Sequence, residues 1–180
     1  MVVGSNPTRL ACPHLLGRAS GGDLARTRRQ HSAILAAMKR YFAGPLFTTA
    51  ERAWNAEVTA ALRAAGHEVV LPQEQEPGKD GAGIFASDVA GIDWADGLVA
   101  IMDGPDPDSG TSWEVGYAFG VKKWIVLVRT DIRARAGSAD DYNLMLIEAA
   151  TIRIDMPAAP TVQVIARILG ALARIEAGTA

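Results

Sequence analysis

The run Asp103-Gly104-Pro105-Asp106-Pro107-Asp108-Ser109-Gly110-Thr111-Ser112-Trp113-Glu114 holds the residues best suited to chemistry. It follows an apolar stretch and opens a helical pattern. Asp108 or Ser109 can cap that helix, and Glu114 falls near its first turn. A carboxylate there feels the positive end of the helix dipole, worth about 0.3–1 kcal/mol, which favours the ionised form that a nucleophile requires. A cap and a first-turn acid are ordinary stabilising features. Three acids in one loop beside a cleft are not explained by stability and point to a functional site.

The elements that must carry this loop alternate. Lys39–Ala43 reads as a strand ending at the turn Gly44-Pro45. Thr48 or Thr49 caps a helix with apolar positions Ala53, Val58, Ala61, Leu62 and Ala65, closed by Gly66. His67–Leu71 is a strand stopped by Pro72, and 73–83 is a polar loop. Ile84–Ala95 is helical, with Phe85, Val89 and Ile92 on one face. Gly97–Met102 and Trp124–Val128 are apolar strands on either side of the helix Thr111–Val121. A polar loop, 130–140, leads to a short helix at Tyr142–Ala149, a strand at Ile152–Ile154 and an amphipathic helix at Val162–Ile175. Short apolar strands alternating with helices predict a parallel sheet covered on both faces. Five such strands suit a flavodoxin-like doubly wound α/β fold, with its ligand site outside the carboxyl ends of the strands. The loops at 43–48, 72–83, 103–110 and 130–142 are then the ones that matter. Neither GxGxxG nor GxxxxGK[ST] occurs.

Composition narrows the class. The chain has 180 residues, 49% hydrophobic, with 18 Lys+Arg against 20 Asp+Glu, which gives no basic excess for a nucleic-acid partner. No apolar run approaches the roughly 20 residues of a membrane span. One cysteine, Cys12, excludes an intrachain disulfide framework and a multi-Cys zinc site. His14, His31 and His67 lack metal-ligand spacing. The expectation is a cytoplasmic globular protein.

Residues 1–37 stand apart from the domain expected at 38–180. Residues 1–38 hold five arginines and one acid, a charge of +4 that leaves −6 for the remainder of a chain at −2. No apolar stretch with a small-residue cleavage site makes this a secretory signal, although an Arg-rich, acid-poor leader can be a transit peptide. Val3-Gly4-Ser5-Asn6-Pro7-Thr8 back-translates to resemble the T-arm of a transfer-RNA gene. The hypothesis is a disordered or mis-assigned leader. Native protein starting near Val3 would contradict mis-assignment.

Four segments together resemble the nucleoside 2-deoxyribosyltransferase family. Tyr41-Phe42-Ala43-Gly44-Pro45-Leu46-Phe47 resembles its first strand and loop, with Leu46 where some relatives carry an aromatic residue. Asp88, with Ile92 and Asp96, resembles its central helix, and Asp108 to Ala118 its signature segment. Asn143-Leu144-Met145 resembles its C-terminal active-site segment. The resemblance implies that Glu114 attacks the anomeric carbon, Tyr41 holds Glu114, and Asp88 supplies or takes the proton at the departing base nitrogen. It further implies that Asp108 binds sugar hydroxyls, helped by Asn143 from a neighbouring subunit of a homo-oligomer. Gly44 lies in the substrate loop, Phe47 stacks near the base, Met145 lines the sugar pocket, and Gln73 or Gln75 meets the base edge. Taken singly, Tyr41 is a strand aromatic, Asp88 a solvated helix residue, and Asp108 and Asn143 are caps. Their joint occurrence at the expected loops carries the resemblance.

The implied partners are a deoxynucleoside and a free nucleobase, with no metal or organic cofactor. The logic is that of a retaining glycosidase, one carboxylate as nucleophile and another as acid/base. Asp88 must be protonated, which like charges at Asp108 and Glu114 would favour. A second base then attacks the covalent ester in a ping-pong exchange. Two alternatives share the scaffold. One is an N-glycoside hydrolase of deoxynucleosides or nucleoside 5′-monophosphates, for which Arg133 and Arg135, otherwise solvated, would meet the phosphate. The other is a non-catalytic nucleotide-sensing domain that would not need Glu114. Trp54, Trp94, Trp113 and Trp124 read as packing residues, with Trp113 near the site because it neighbours Glu114.

Overall fold

The computed structural model of the chain describes residues 38–75, 77–133 and 142–180. The expectations for residues 1–37 and for Arg135 lie outside the described residues. The elements run β1 (Lys39–Ala43), α1 (Thr49–Ala64), β2 (Glu68–Val70), α2 (Pro72–Gln75), α3 (Gly81–Trp94), β3 (Gly97–Ile101), α4 (Ser109–Gly120), β4 (Trp124–Arg129), α5 (Leu144–Ala149), β5 (Ile152–Asp155) and α6 (Thr161–Glu176). The strands form one sheet in the order β2-β1-β3-β4-β5, parallel throughout. This is the doubly wound five-stranded architecture that the alternation predicts.

Period-two alternation divides each strand between two cores. Phe42, Val99, Ile101, Val126 and Val128 face α1 and α6, where they meet Val58, Leu62, Ile168 and Leu172. Tyr41, Ala43, Leu98, Ala100 and Leu127 face the other way, toward Ile92 of α3 and Val115 and Ala118 of α4. Tyr41 is therefore delivered to the face that carries Asp88 and Glu114. At the opposite end of β1, buried Arg40 pairs with Glu176 at 2.6 Å and ties the closing helix to the sheet.

Two expectations change. The polar stretch 73–83 holds α2, and α3 starts at Gly81 rather than Ile84. Asp80 caps it, its Oδ1 accepting from the Gly83 amide at 2.8 Å. Gly81-Ala82-Gly83 hides that start because glycine has little helix propensity. The buried face of α1 is Asn55, Val58, Thr59 and Leu62 rather than the expected alanine-containing set. No helix among the described residues is long and apolar enough to cross a membrane.

Candidate active site

Strand order reverses between β1 and β3, and the loops leaving these two strands open a crevice at that point, where doubly wound folds bind ligands. The loop after β1 is fixed by a capping box. The Glu51 amide donates to Thr48 Oγ1, and Glu51 Oε2 accepts from the Thr48 and Phe47 amides at 2.8 and 3.0 Å. That sets the backbone at Phe47, whose ring is left largely exposed over the crevice.

Tyr41 and Glu114 form the centre. The Tyr41 hydroxyl donates to Glu114 Oε1 at 2.5 Å. Tyr41 is fully buried, and burial together with the neighbouring carboxylates holds its phenol well above the ordinary tyrosine value. Asp88 is half-buried and interacts with the same hydroxyl. What brings α3 this close is Gly91, one turn beyond Asp88. A Cβ on Gly91 would lie 2.9 Å from the Tyr41 ring. Gly91→Ala is therefore expected to push α3 off β1, costing about 1–3 kcal/mol by overpacking and at least tenfold in turnover as Asp88 retreats. Denaturant unfolding and steady-state kinetics check both numbers.

The position of Glu114 corrects the sequence reading. α4 begins at Ser109, so Glu114 lies in the second turn, outside the first-turn reach of the dipole. It shares the inward stripe of Thr111, Val115 and Ala118. Burial pushes its carboxyl up to about 7, Asp88 and Asp108 push the same way, and the Tyr41 hydrogen bond opposes them. The environment favours the protonated form, the reverse of the dipole argument.

Asp108 caps α4, its Oδ2 accepting from the Thr111 amide at 2.8 Å and hydroxyl at 3.1 Å. Asp103 is structural, accepting from the Thr130 and Asp131 amides at 2.6 and 3.0 Å. Asp108 thus fills the capping role offered for it while facing the pocket, and Asp103 is taken up by the loop after β4. A pocket of about 150 Å³ brings Gly44, Leu46, Phe47, Asp88, Asp108 and Glu114 together. A cavity of about 510 Å³ adjoins it across Phe47 and Asp108, lined further by Trp54, Asn55, Thr130, Asp131 and Arg133.

Other residues lie elsewhere. Gln73 donates to the Arg52 carbonyl at 2.9 Å and accepts from Asn55 Nδ2 at 3.4 Å, and it lines neither cavity. Asn143 caps α5 through the Met145 amide at 2.9 Å. Asn143 and Met145 line a separate groove with Ser112, Val115 and Phe119, and Met145 is 78% exposed. Trp113 does not line the Glu114 pocket but lies between Phe85 and Tyr117 in an aromatic row. Arg133 is exposed, as expected of a solvated arginine, and it also grips Asp131 with two donors at 2.9 and 2.5 Å and holds that carboxyl well below the usual range. Asn55 is buried and lines the larger cavity without figuring among the expected site residues, although a polar residue at core spacing on α1 is a signal open to inspection.

The five-stranded parallel sheet, with partly buried Asp88, Asp108 and Glu114 at its switch point, is that of a flavodoxin-like α/β protein. The family model described as nucleoside 2-deoxyribosyltransferase matches residues 40–150, and the chain belongs to that family. Among solved structures, a conserved protein from Enterococcus faecalis is 25% identical at a TM-score of 0.61, covering 76% of this chain and 99% of that one. A 2-deoxyribosyltransferase from Bacillus psychrosaccharolyticus is 23% identical at 0.55, covering 71% and 90%. A CMP N-glycosidase from Clostridium botulinum is 17% identical at 0.53, covering 72% and 98%. The likeness to the last two establishes a shared fold. No curated protein matches the sequence.

Proposed function

We propose that this chain moves a 2-deoxyribosyl group from a deoxynucleoside to a free nucleobase through a covalent ester on Glu114, with residues 38–180 as the single working domain. The observation that carries the reading is the partly buried Tyr41–Glu114 hydrogen bond at 2.5 Å, with Asp88 and Asp108 opening into the same pocket. The pocket beside Glu114 takes the sugar, and the adjoining cavity gives the rest of the ligand room of the size that encloses small molecules.

Ionised Glu114 attacks the anomeric carbon. The bond from that carbon to the base nitrogen breaks, its electron pair stays with the nitrogen, and Asp88 delivers the proton. The carbon carries oxocarbenium character at the transition state, stabilised by the carboxylate on the opposite face. An acceptor base then attacks the same carbon, Glu114 leaves as carboxylate, and Asp88 takes up the acceptor's proton. Asp108 binds a sugar hydroxyl while capping α4, and Gly44 and Phe47 form the wall. Asn143 and Met145 line a groove away from Glu114 in one copy. In this reading they complete the site of a second copy, whose contact covers exposed Phe119, Leu144 and Met145. A fully active monomer by light scattering would contradict that assembly.

The test is a chromatographic assay of thymidine with adenine present or absent. Deoxyadenosine forming only with adenine supports exchange. Free thymine released at one rate in both cases indicates a hydrolase.

A further inference from the structure

Arg129, the last residue of β4, is a charged side chain at the end of an otherwise apolar strand and is only 2% exposed. A buried guanidinium is costly unless its donors are satisfied. Here Nη1 donates to the Met102 carbonyl at 2.5 Å and Nη2 to the Gly104 carbonyl at 2.9 Å, while buried Nε has no hydrogen-bond partner among the described residues. Those carbonyls lie just beyond β3, where the chain leaves the ladder and Gly104 adopts φ +114°. The Gly104 amide donates in turn to Asp131 Oδ2 at 2.9 Å. The other side of Arg129 faces Tyr142, its guanidinium carbon 5.2 Å from the ring centroid. Tyr142 directly precedes Asn143.

We propose that Arg129 is a positioning residue for the sugar side of the site: one buried cation sets both the loop that ends in Asp108 and the segment that begins α5 at Asn143. It does not touch the reacting atoms. Its planar fork reaches two carbonyls two residues apart while offering a face to Tyr142, and lysine's single ammonium does neither. Because Asn143 is assigned to a second copy's site, Arg129 links the sugar contacts of one site to those of the next.

The inference rests on the reading of Asp108 and Asn143 as sugar ligands, and the test separates the two. Arg129→Lys is compared with the unaltered protein by thermal unfolding, by hydrogen exchange of peptides covering 102–108 and 142–149, and by thymidine–adenine exchange kinetics. Unfolding should stay cooperative, and both peptides should exchange about tenfold faster or more. KM for thymidine should rise roughly tenfold with kcat within about threefold, since the nucleophile is untouched. Unchanged exchange in either peptide overturns the proposal, as does an unchanged KM when both peptides exchange faster. Should Arg129→Lys not fold, Tyr142→Leu should release 142–149 alone, and full protection of that peptide overturns the link. Asp108→Ala with an unchanged KM would instead sink the sugar-ligand reading, while hydrogen exchange still decides whether Arg129 holds the two segments.

Discussion

Glu114→Gln is expected to abolish base exchange, by on the order of 10⁴-fold or more, as loss of a covalent nucleophile does. The same substitution is expected to stabilise the fold at alkaline pH. The Glu114 carboxyl stands near 7 in the folded protein against an ordinary 4.5. A raised folded value means that the native state binds this proton more tightly than the unfolded chain does. The relative stability from that proton is complete below about pH 4.5 and is lost as pH rises through about 7. The difference, 7 − 4.5 = 2.5, corresponds to about 3 kcal/mol at pH 8. Glutamine keeps an oxygen for the Tyr41 hydroxyl and carries no charge. Urea unfolding should show the variant more stable by roughly that amount at pH 8, with the gap closing toward pH 4. Equal stability at both pH values would mean that Glu114 is not held in a desolvated environment. A site that gains stability when its reactive group is removed is one shaped for activity at the expense of the fold.

Tyr41→Phe is expected to move the acid limb of the activity profile rather than only lower it. Attack requires ionised Glu114, so kcat/KM for the unaltered protein should fall about tenfold per pH unit below roughly 7. The Tyr41 hydrogen bond is what draws the carboxyl down against burial and the charges of Asp88 and Asp108. Without it the limb lies at higher pH, and activity at pH 6 falls about tenfold further for every pH unit by which the limb has moved. Raising the pH recovers part of the loss. A uniform loss at every pH, with the limb unmoved, would make Tyr41 a packing residue and remove its role in setting the nucleophile.

The fold was readable because its local signals agree. The apolar runs at 97–101 and 124–128 are too short for helices and too continuous for surface strands, so they require a sheet covered on both faces. Of the four family segments, 41–47 and 108–118 flank the switch point, whereas Asp88 comes from α3 and Asn143 lines a separate groove. What the sequence hid depends on tertiary packing. Glu114 looks like an acid aided by a helix dipole until Gly91 lets α3 close over Tyr41, and burial then outweighs any such bias. Gln73 looks available to a base, but its amide is taken up by Arg52 and Asn55 on α1. Arg133 is solvated as it looks, and what the sequence does not show is that Asp131, two residues away, meets its guanidinium with both carboxylate oxygens. Asp108 reads equally as cap and as ligand, and in the structure it is a cap that also faces the pocket.

The central claim is a covalent bond between the anomeric carbon and Glu114, and intact-protein mass spectrometry tests it most directly. The protein is mixed with a 2′-deoxy-2′-fluoroarabinosyl nucleoside, whose fluorine destabilises the oxocarbenium-like transition state and slows release, and is then quenched in acid without an acceptor base. The account predicts a mass gain of one fluorodeoxypentosyl unit, localised by peptide mapping to Glu114 and discharged when adenine is added before the quench. Release of free base with the protein mass unchanged, or an adduct on any other residue, would contradict it.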